Sequence, residues 1–191
     1  MFRLAILIDG AYLDHIGMNA DVRVDCEKLA NEIYLRVAAR TPTGIDLLRS
    51  YYYNSLPHRS NPPTAEEQQR YDSRYRFFDA LRYLPSFTVR LGVVKVRGND
   101  GQGQPIFEQK QVDLLMGLDL ALLSAKRSIT HAAVVTGDGD MVPAFQAAQR
   151  EGIAVWCFTD ETLGSAQELW RAADERVPID GDFLQAVRRM K

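Results

Sequence analysis

The stretch Leu4–Asp9, LAILID, decides the architecture: five apolar residues in a row, then a carboxylate. A strand that is apolar at every position, rather than at alternate ones, is covered on both faces, and such strands belong to parallel sheets flanked by helices. The rest of the chain keeps up the alternation. Asp25 is placed to cap a helix in 25–40, DCEKLANEIYLRVAAR, where Leu29, Ile33 and Val37 recur at helical spacing. A second strand is expected over 45–57, IDLLRSYYYNSLP. A helix is expected within 61–84, opened by two prolines and a capping box of Thr64 with Glu67. A third strand follows at 87–96, FTVRLGVVKV, then a glycine-rich connection at 97–105, RGNDGQGQP, and a helix over 109–128. Strand 132–136 (AAVVT), helix 142–152, strand 153–159 (IAVWCFT) and helix 164–175 complete the series. Strands alternating with helical patterns predict a mostly parallel sheet in an α/β sandwich. Without a repeat or a linker, the 191 residues are expected to form one domain, 1–191.

Composition narrows the class. Hydrophobic residues are 46% and charged residues 25%, which argues against disorder. No apolar run approaches the ~20 residues of a membrane span, and the start MFRLAILIDGAYLDH reads as a first strand rather than a signal peptide. Cys26 and Cys157 lie far apart without metal spacing, so a reducing cytoplasm is the expected setting. A net charge of −2 gives no general attraction to polyanions, so any nucleic-acid contact has to be local.

The chemistry gathers where strands end. In open parallel sheets ligands bind beyond the carboxyl ends of the strands. Asp9 closes LAILID, and Asp138 and Asp140 follow AAVVT within 134–143, VVTGDGDMVP. If those two strands are neighbours, three carboxylates converge, and Asp113 at the start of the helix before AAVVT can lean over the same place. Four acidic groups without matching lysines repel one another unless a cation neutralises them. An all-oxygen set suits Mg²⁺ or Mn²⁺, which accept phosphate oxygens from a substrate. Read singly, each residue has a plainer role: GDGD as a solvated turn, Asp9 as a cap on the turn that follows it. Asp119 is six residues after Asp113 and points some 120° away on a helix, so it is expected to support the site rather than ligate. Thr136 is placed either to offer its hydroxyl to a ligand or to cap the turn.

Other motifs fail on specific positions. For a calcium-binding EF-hand loop counted from Asp138, position five is Val142 and position twelve Gln149. A haloacid-dehalogenase-type phosphatase needs a second Asp where this chain has Ala11, and another at Val142. No phosphate-loop or dinucleotide fingerprint occurs, and His15, His58 and His131 have no metal spacing.

The series LIDGAYL, KQVDLLMGLDLAL, VVTGDGDMVPAFQAAQREGIAVWCF and SAQELWRAAD resembles, in order and over nearly the whole chain, the NYN domains of the PIN-like nuclease superfamily, and within them the low-amplitude-and-bright-like bacterial branch. The most specific part is the pairing of K-x-V-D with a strand ending in T-G-D-x-D. The resemblance implies a Rossmann-like three-layer α/β/α sandwich and a Mg²⁺- or Mn²⁺-dependent ribonuclease centre. Its metal-binding, catalytic carboxylates would be Asp9, Asp113, Asp138 and Asp140, with the cation activating water for in-line attack on a phosphodiester. The first motif often carries Asn three residues after its Asp; here that position is Tyr12. Met141 replaces the usual aromatic after the last Asp.

The partner expected from this reading is single-stranded RNA, for which arginines and stackable rings are suited. Arg70 and Arg74 share a face of the 61–84 helix, beside Tyr71, and Lys110 stands before Asp113; a solvated helix with inward-packed tyrosines is the plainer alternative. A homodimer fits the exposed edges. The alternative function is a regulatory module, weakly active or inactive, that holds a cation, nucleotide or partner in the same acidic pocket.

Overall fold

The computed structural model describes residues 1–99, 101–102, 105–160, 162 and 167–190. Its frame is one seven-stranded sheet, β1 (Phe2–Asp9), β2 (Ile45–Ser55), β3 (Phe87–Asn99), β4 (Pro105–Lys110), β5 (His131–Val135), β6 (Ala154–Thr159) and β7 (Glu175–Pro178), in the spatial order β4-β3-β2-β1-β5-β6-β7. Every pairing is parallel except β3 with β4. The helices are α1 (Gly10–Asn19), α2 (Cys26–Ala38), α3 (Ala65–Arg82), α4 (Val112–Ala125), α5 (Val142–Arg150), α6 (Gln167–Ala172) and α7 (Gly181–Ala186).

β1 lies at the centre because its sequence tolerates no water on either face. Leu4 to Ile8 are all fully buried. Leu4, Ile6 and Ile8 enter a core shared with α1, α2, α3 and α7, and Ala5 and Leu7 enter a second core shared with α4, α5 and α6. The period-two alternation of a strand thus divides one apolar run between two layers. The result is the three-layer α/β/α sandwich.

Local rules account for the helix starts. Asp25 caps α2 by accepting from Glu27 N and Lys28 N. Thr64 and Glu67 form a reciprocal box, Glu67 N to Thr64 Oγ1 at 3.2 Å and Thr64 N to Glu67 Oε2 at 2.9 Å. α3 buries Phe78 and Leu81, while Tyr75 and Tyr83 stay exposed, so its tyrosines do not all turn inward.

Two readings of the sequence need correction. Residues 105–110, PIFEQK, form the edge strand β4, and the helix expected from residue 109 begins only at Val112. Gln and Lys are good helix formers, but Gln111 adopts φ 74°, a left-handed conformation that turns the chain out of β4 before helix can start. β3 and β4 accordingly pair antiparallel as far as Asn99 with Pro105, and residues 100, 103 and 104 of the glycine-rich connection lie outside the described residues. α1, β7 and α7 also went unforeseen: each is short, and α1 follows β1 with no intervening turn residues. Of the helix expected at 164–175, residues 164–166 lie outside the described residues, and α6 covers 167–172.

A candidate acidic centre at the switch point

Strand order reverses at β1: the chain builds outward through β2, β3 and β4 on one side, then returns to place β5, β6 and β7 on the other. The crevice beyond the carboxyl ends of β1 and β5 is therefore the topological switch point, where ligands of such sheets bind. β1 and β5 pair in parallel from Leu4 with His131 to Ile8 with Val135. Asp9 is the last residue of β1, and Thr136, Gly137 and Asp138 carry the chain off β5.

Asp9 and Asp138 are fixed by the backbone around them. Asp9 caps α1, its Oδ1 accepting from Ala11 N at 3.0 Å and Tyr12 N at 3.1 Å. Asp138 Oδ1 accepts from Asp140 N at 2.9 Å, which opens the short 3₁₀ turn Gly139–Met141 leading into α5. Thr136 is buried, and its Oγ1 accepts from Asp138 N at 3.1 Å, so its hydroxyl serves the turn. Asp113 lies in the first turn of α4.

Asp9 and Asp113 are influenced by their acidic neighbours. Burial pushes the Asp9 carboxyl up to about 6, and the charges of Asp113 and Asp138 add to the rise, against the lowering by the Tyr12 and Ala11 amides. Asp113 is raised too, first by desolvation, then by Asp138 and Asp140. Electrostatic coupling thus reaches Asp9 from Asp113 and Asp138, and Asp113 from Asp138 and Asp140. It does not extend to a finished ligand shell: among the described residues no three acidic, histidine or cysteine side chains stand close enough to hold an ion. Coulomb coupling reaches further than a metal–oxygen bond, and mutual repulsion spreads carboxylates apart. The donor set, all oxygen and carrying more negative charge than its surroundings neutralise, fits a hard divalent cation.

The remaining expected residues divide. Asp119 is turned away from the cluster. Its Oδ2 accepts from Tyr53 Oη at 2.9 Å and from Arg90 Nε at 3.1 Å, tying α4 to β2 and β3. Lys110 closes β4, paired in register with Val93, and is exposed. Arg74 is ion-paired to Asp14 of α1 and lies over the rings of Phe77 and Phe78, whereas Tyr71 is covered by Arg59 at 4.5 Å.

Tyr12 has a structural task. Its Oη accepts from Asp160 N at 2.9 Å, just past the end of β6, and its ring lies against Gly137, where an added Cβ would meet Cε2 at 2.5 Å. One side chain thereby joins the chain segments leaving β1, β5 and β6. Tyr12→Phe should leave the Asp160 amide without its acceptor and cost about 1–2 kcal/mol. Thermal melting together with faster amide exchange at residue 160 would show it, and unchanged values at both would refute the tie.

Asp160 went unpredicted. It is buried, and its Oδ1 accepts from Thr162 N at 2.8 Å and Thr162 Oγ1 at 2.6 Å. The rule that found Asp9, a carboxylate directly after an apolar strand, applies equally to Asp160 after IAVWCFT. A cavity of about 660 Å³ between α1, α3 and the C-terminal segment, bordered by Leu13, Tyr52, Phe77 and Arg189, includes none of the four aspartates.

Comparison with known proteins bears on family and fold. The family model described as NYN domain matches residues 3–190. No curated protein matches the chain. Among solved structures, a protein of unknown function from Vibrio parahaemolyticus is similar, with 21% identity, a TM-score of 0.62, and coverage of 95% of this chain and 94% of that one. At that identity the likeness speaks for the fold alone.

Proposed function

The chain belongs to the NYN domain family, whose domains are of the PIN-like nuclease type, and on that premise we propose that it is a ribonuclease cutting phosphodiester bonds of RNA at the switch-point aspartates. The observation that carries the proposal is the placement of Asp9 and Asp138 just past the ends of the parallel-paired strands β1 and β5, where such sheets bind ligands. NYN and PIN-like nucleases generally use divalent metals. Asp9, Asp113, Asp138 and Asp140 are the residues that would hold Mg²⁺ or Mn²⁺, which when bound supplies an acidified water and neutralises charge building on the phosphate.

The protein's own part is orientation. The amides of Ala11 and Tyr12 hold one Asp9 oxygen, which fixes where the carboxylate points. Asp138 is held likewise by the Asp140 amide. Bonds of this kind spare the site the reorganisation that a mobile carboxylate would require.

A second reading, a regulatory module using the same pocket, draws on Tyr12, whose ring packs on Gly137 and whose hydroxyl braces the Asp160 amide, a structural task at the position where the family often carries Asn. End-labelled single-stranded RNA incubated with Mn²⁺ or Mg²⁺ separates the two. The nuclease reading expects time-dependent cutting that EDTA stops and that Asp138→Asn reduces about 10³-fold with an unchanged melting curve. Asn keeps an oxygen for the Asp140 amide, so a loss of activity would not be a loss of fold. Undiminished cutting by Asp138→Asn would refute the site, and no cutting of any RNA would favour the module.

A further inference from the structure

Next to the acidic edge lies a cavity of about 280 Å³, formed by Asn54 and Ser55 at the end of β2, Pro57 and His58 beyond it, Arg70 and Arg74 of α3, and Val94 and Phe107 of the β3–β4 hairpin. Resting on the nuclease reading above, we propose that this cavity is a nucleotide subsite, taking a backbone phosphate and the base of the RNA residue next to the cleaved bond.

Two buried polar atoms point to a missing occupant. Ser55 is only 4% exposed, and its Oγ has no hydrogen-bond partner among the described residues; His58 Nδ1 is in the same state. Buried donors and acceptors are nearly always satisfied, so a pair of unmet ones lining one cavity marks a place where a ligand or ordered water belongs. The surrounding chemistry selects an anion. Arg70 forms no ion pair among the described residues, while Arg74 is held in place by Asp14. A guanidinium, an imidazole nitrogen and a hydroxyl together suit phosphate oxygens. The ring selects a base. Phe107 lies 4.9 Å from the His58 ring, centroid to centroid, yet remains 48% exposed, leaving a surface on which a base can stack. The cavity is smaller than the ~300 Å³ at which pockets for drug-sized ligands begin, so it suits one nucleotide rather than an extended cofactor.

Its position ties it to the aspartates. Asp9 is in register with Tyr53, the residue before Asn54. Asn54 also stands over Gly10, where an added Cβ would meet its Nδ2 at 2.6 Å. The wall of the cavity is thus in contact with the residue after Asp9, and neighbouring strands are ~4.8 Å apart. A single strand crossing the carboxyl edge of the sheet passes from one site to the other.

The test is anisotropy of a fluorescein-labelled single-stranded RNA oligonucleotide titrated with the full chain in EDTA, where cleavage plays no part. Arg70→Ala is expected to weaken binding about tenfold or more. Ser55→Ala is expected to weaken it severalfold without lowering the melting temperature, since an unpartnered hydroxyl is removed. The exposed Arg150→Ala, at the far end of α5, is expected to change binding less than about twofold, as a loss of one screened surface charge should. Equal affinity of wild type, Arg70→Ala and Ser55→Ala would overturn the subsite, as would equal weakening by Arg150→Ala, or no binding by the wild type. The two proposals fail separately. Cutting by all variants at wild-type rate and KM sinks the subsite and leaves the nuclease. Binding that depends on Arg70, with no cutting in Mn²⁺, keeps the subsite and sinks the nuclease.

Discussion

Replacing Asp9 by Asn is expected to silence RNA cleavage by about 10³-fold or more, as removing a charged centre of metal chemistry does, while making the fold more resistant to heat at pH 8. The two effects have one origin. In the folded chain burial and the neighbouring charges of Asp113 and Asp138 hold the Asp9 carboxyl at about 6, against 3.8 for the ordinary group. A raised carboxylate disfavours folding wherever it must be ionised. The fold's stability is therefore least compromised below the ordinary value, falls as pH rises from there through 6, and stays reduced above it. That difference amounts to about 3 kcal/mol at pH 8 as an upper figure. Asn carries no charge to desolvate or repel, and its Oδ1 still accepts from the Ala11 and Tyr12 amides. The gain should appear as a melting temperature about 5 °C higher at pH 8, shrinking to nothing near pH 4. Added Mn²⁺ should stabilise the wild type above pH 6 and leave Asp9→Asn much less affected. A variant that melts lower than wild type at pH 8 would show that Asp9 is not under electrostatic strain.

The second large effect is expected at Gly137. An alanine there places its Cβ 2.5 Å from the Tyr12 ring, closer than any real contact. The ring cannot swing aside freely because Asp160 N holds its hydroxyl. Gly137→Ala should cost about 1–3 kcal/mol from overpacking and cut activity well beyond what the stability loss explains, because Asp138 is the next residue. A double-mutant cycle settles the cause. In a Tyr12→Ala background the same substitution should cost under about 0.5 kcal/mol, the remainder being coupling energy between two touching residues. Equal costs in both backgrounds would place the strain elsewhere.

Much of this could be read before any coordinates, for identifiable reasons. LAILID could only be a doubly covered strand, and the Asp25 and Thr64–Glu67 caps were written in local sequence, so the central strand and the long helices followed. The placement of Asp9 and Asp138 at neighbouring strand ends was legible because it needs only a strand end and adjacency of β1 with β5. β4 was not, because its last two residues favour helix and the break is made by a left-handed Gln111, a residue type that announces no such turn. The role of Tyr12 was not legible either. It depends on β6 lying beside β5, which brings residue 160 to residue 12, and spacing along the chain gives no hint of that. Asp119 was expected beside the centre but belongs to a brace with Tyr53 and Arg90, since only the packing of α4 over β2 and β3 reveals its partners.

The pairing of β1 with β5 also bears on how the protein is made. Arg3 and Thr130, hydrogen-bonded across these strands, are 127 residues apart in the chain. In a growing polypeptide on the ribosome Asp9 is made well before the neighbouring strand β5 and before Asp138 and Asp140. Under the nuclease reading, the nascent chain is harmless to the message that encodes it while most of that message is being read. On that reading, catalytic competence is deferred by topology.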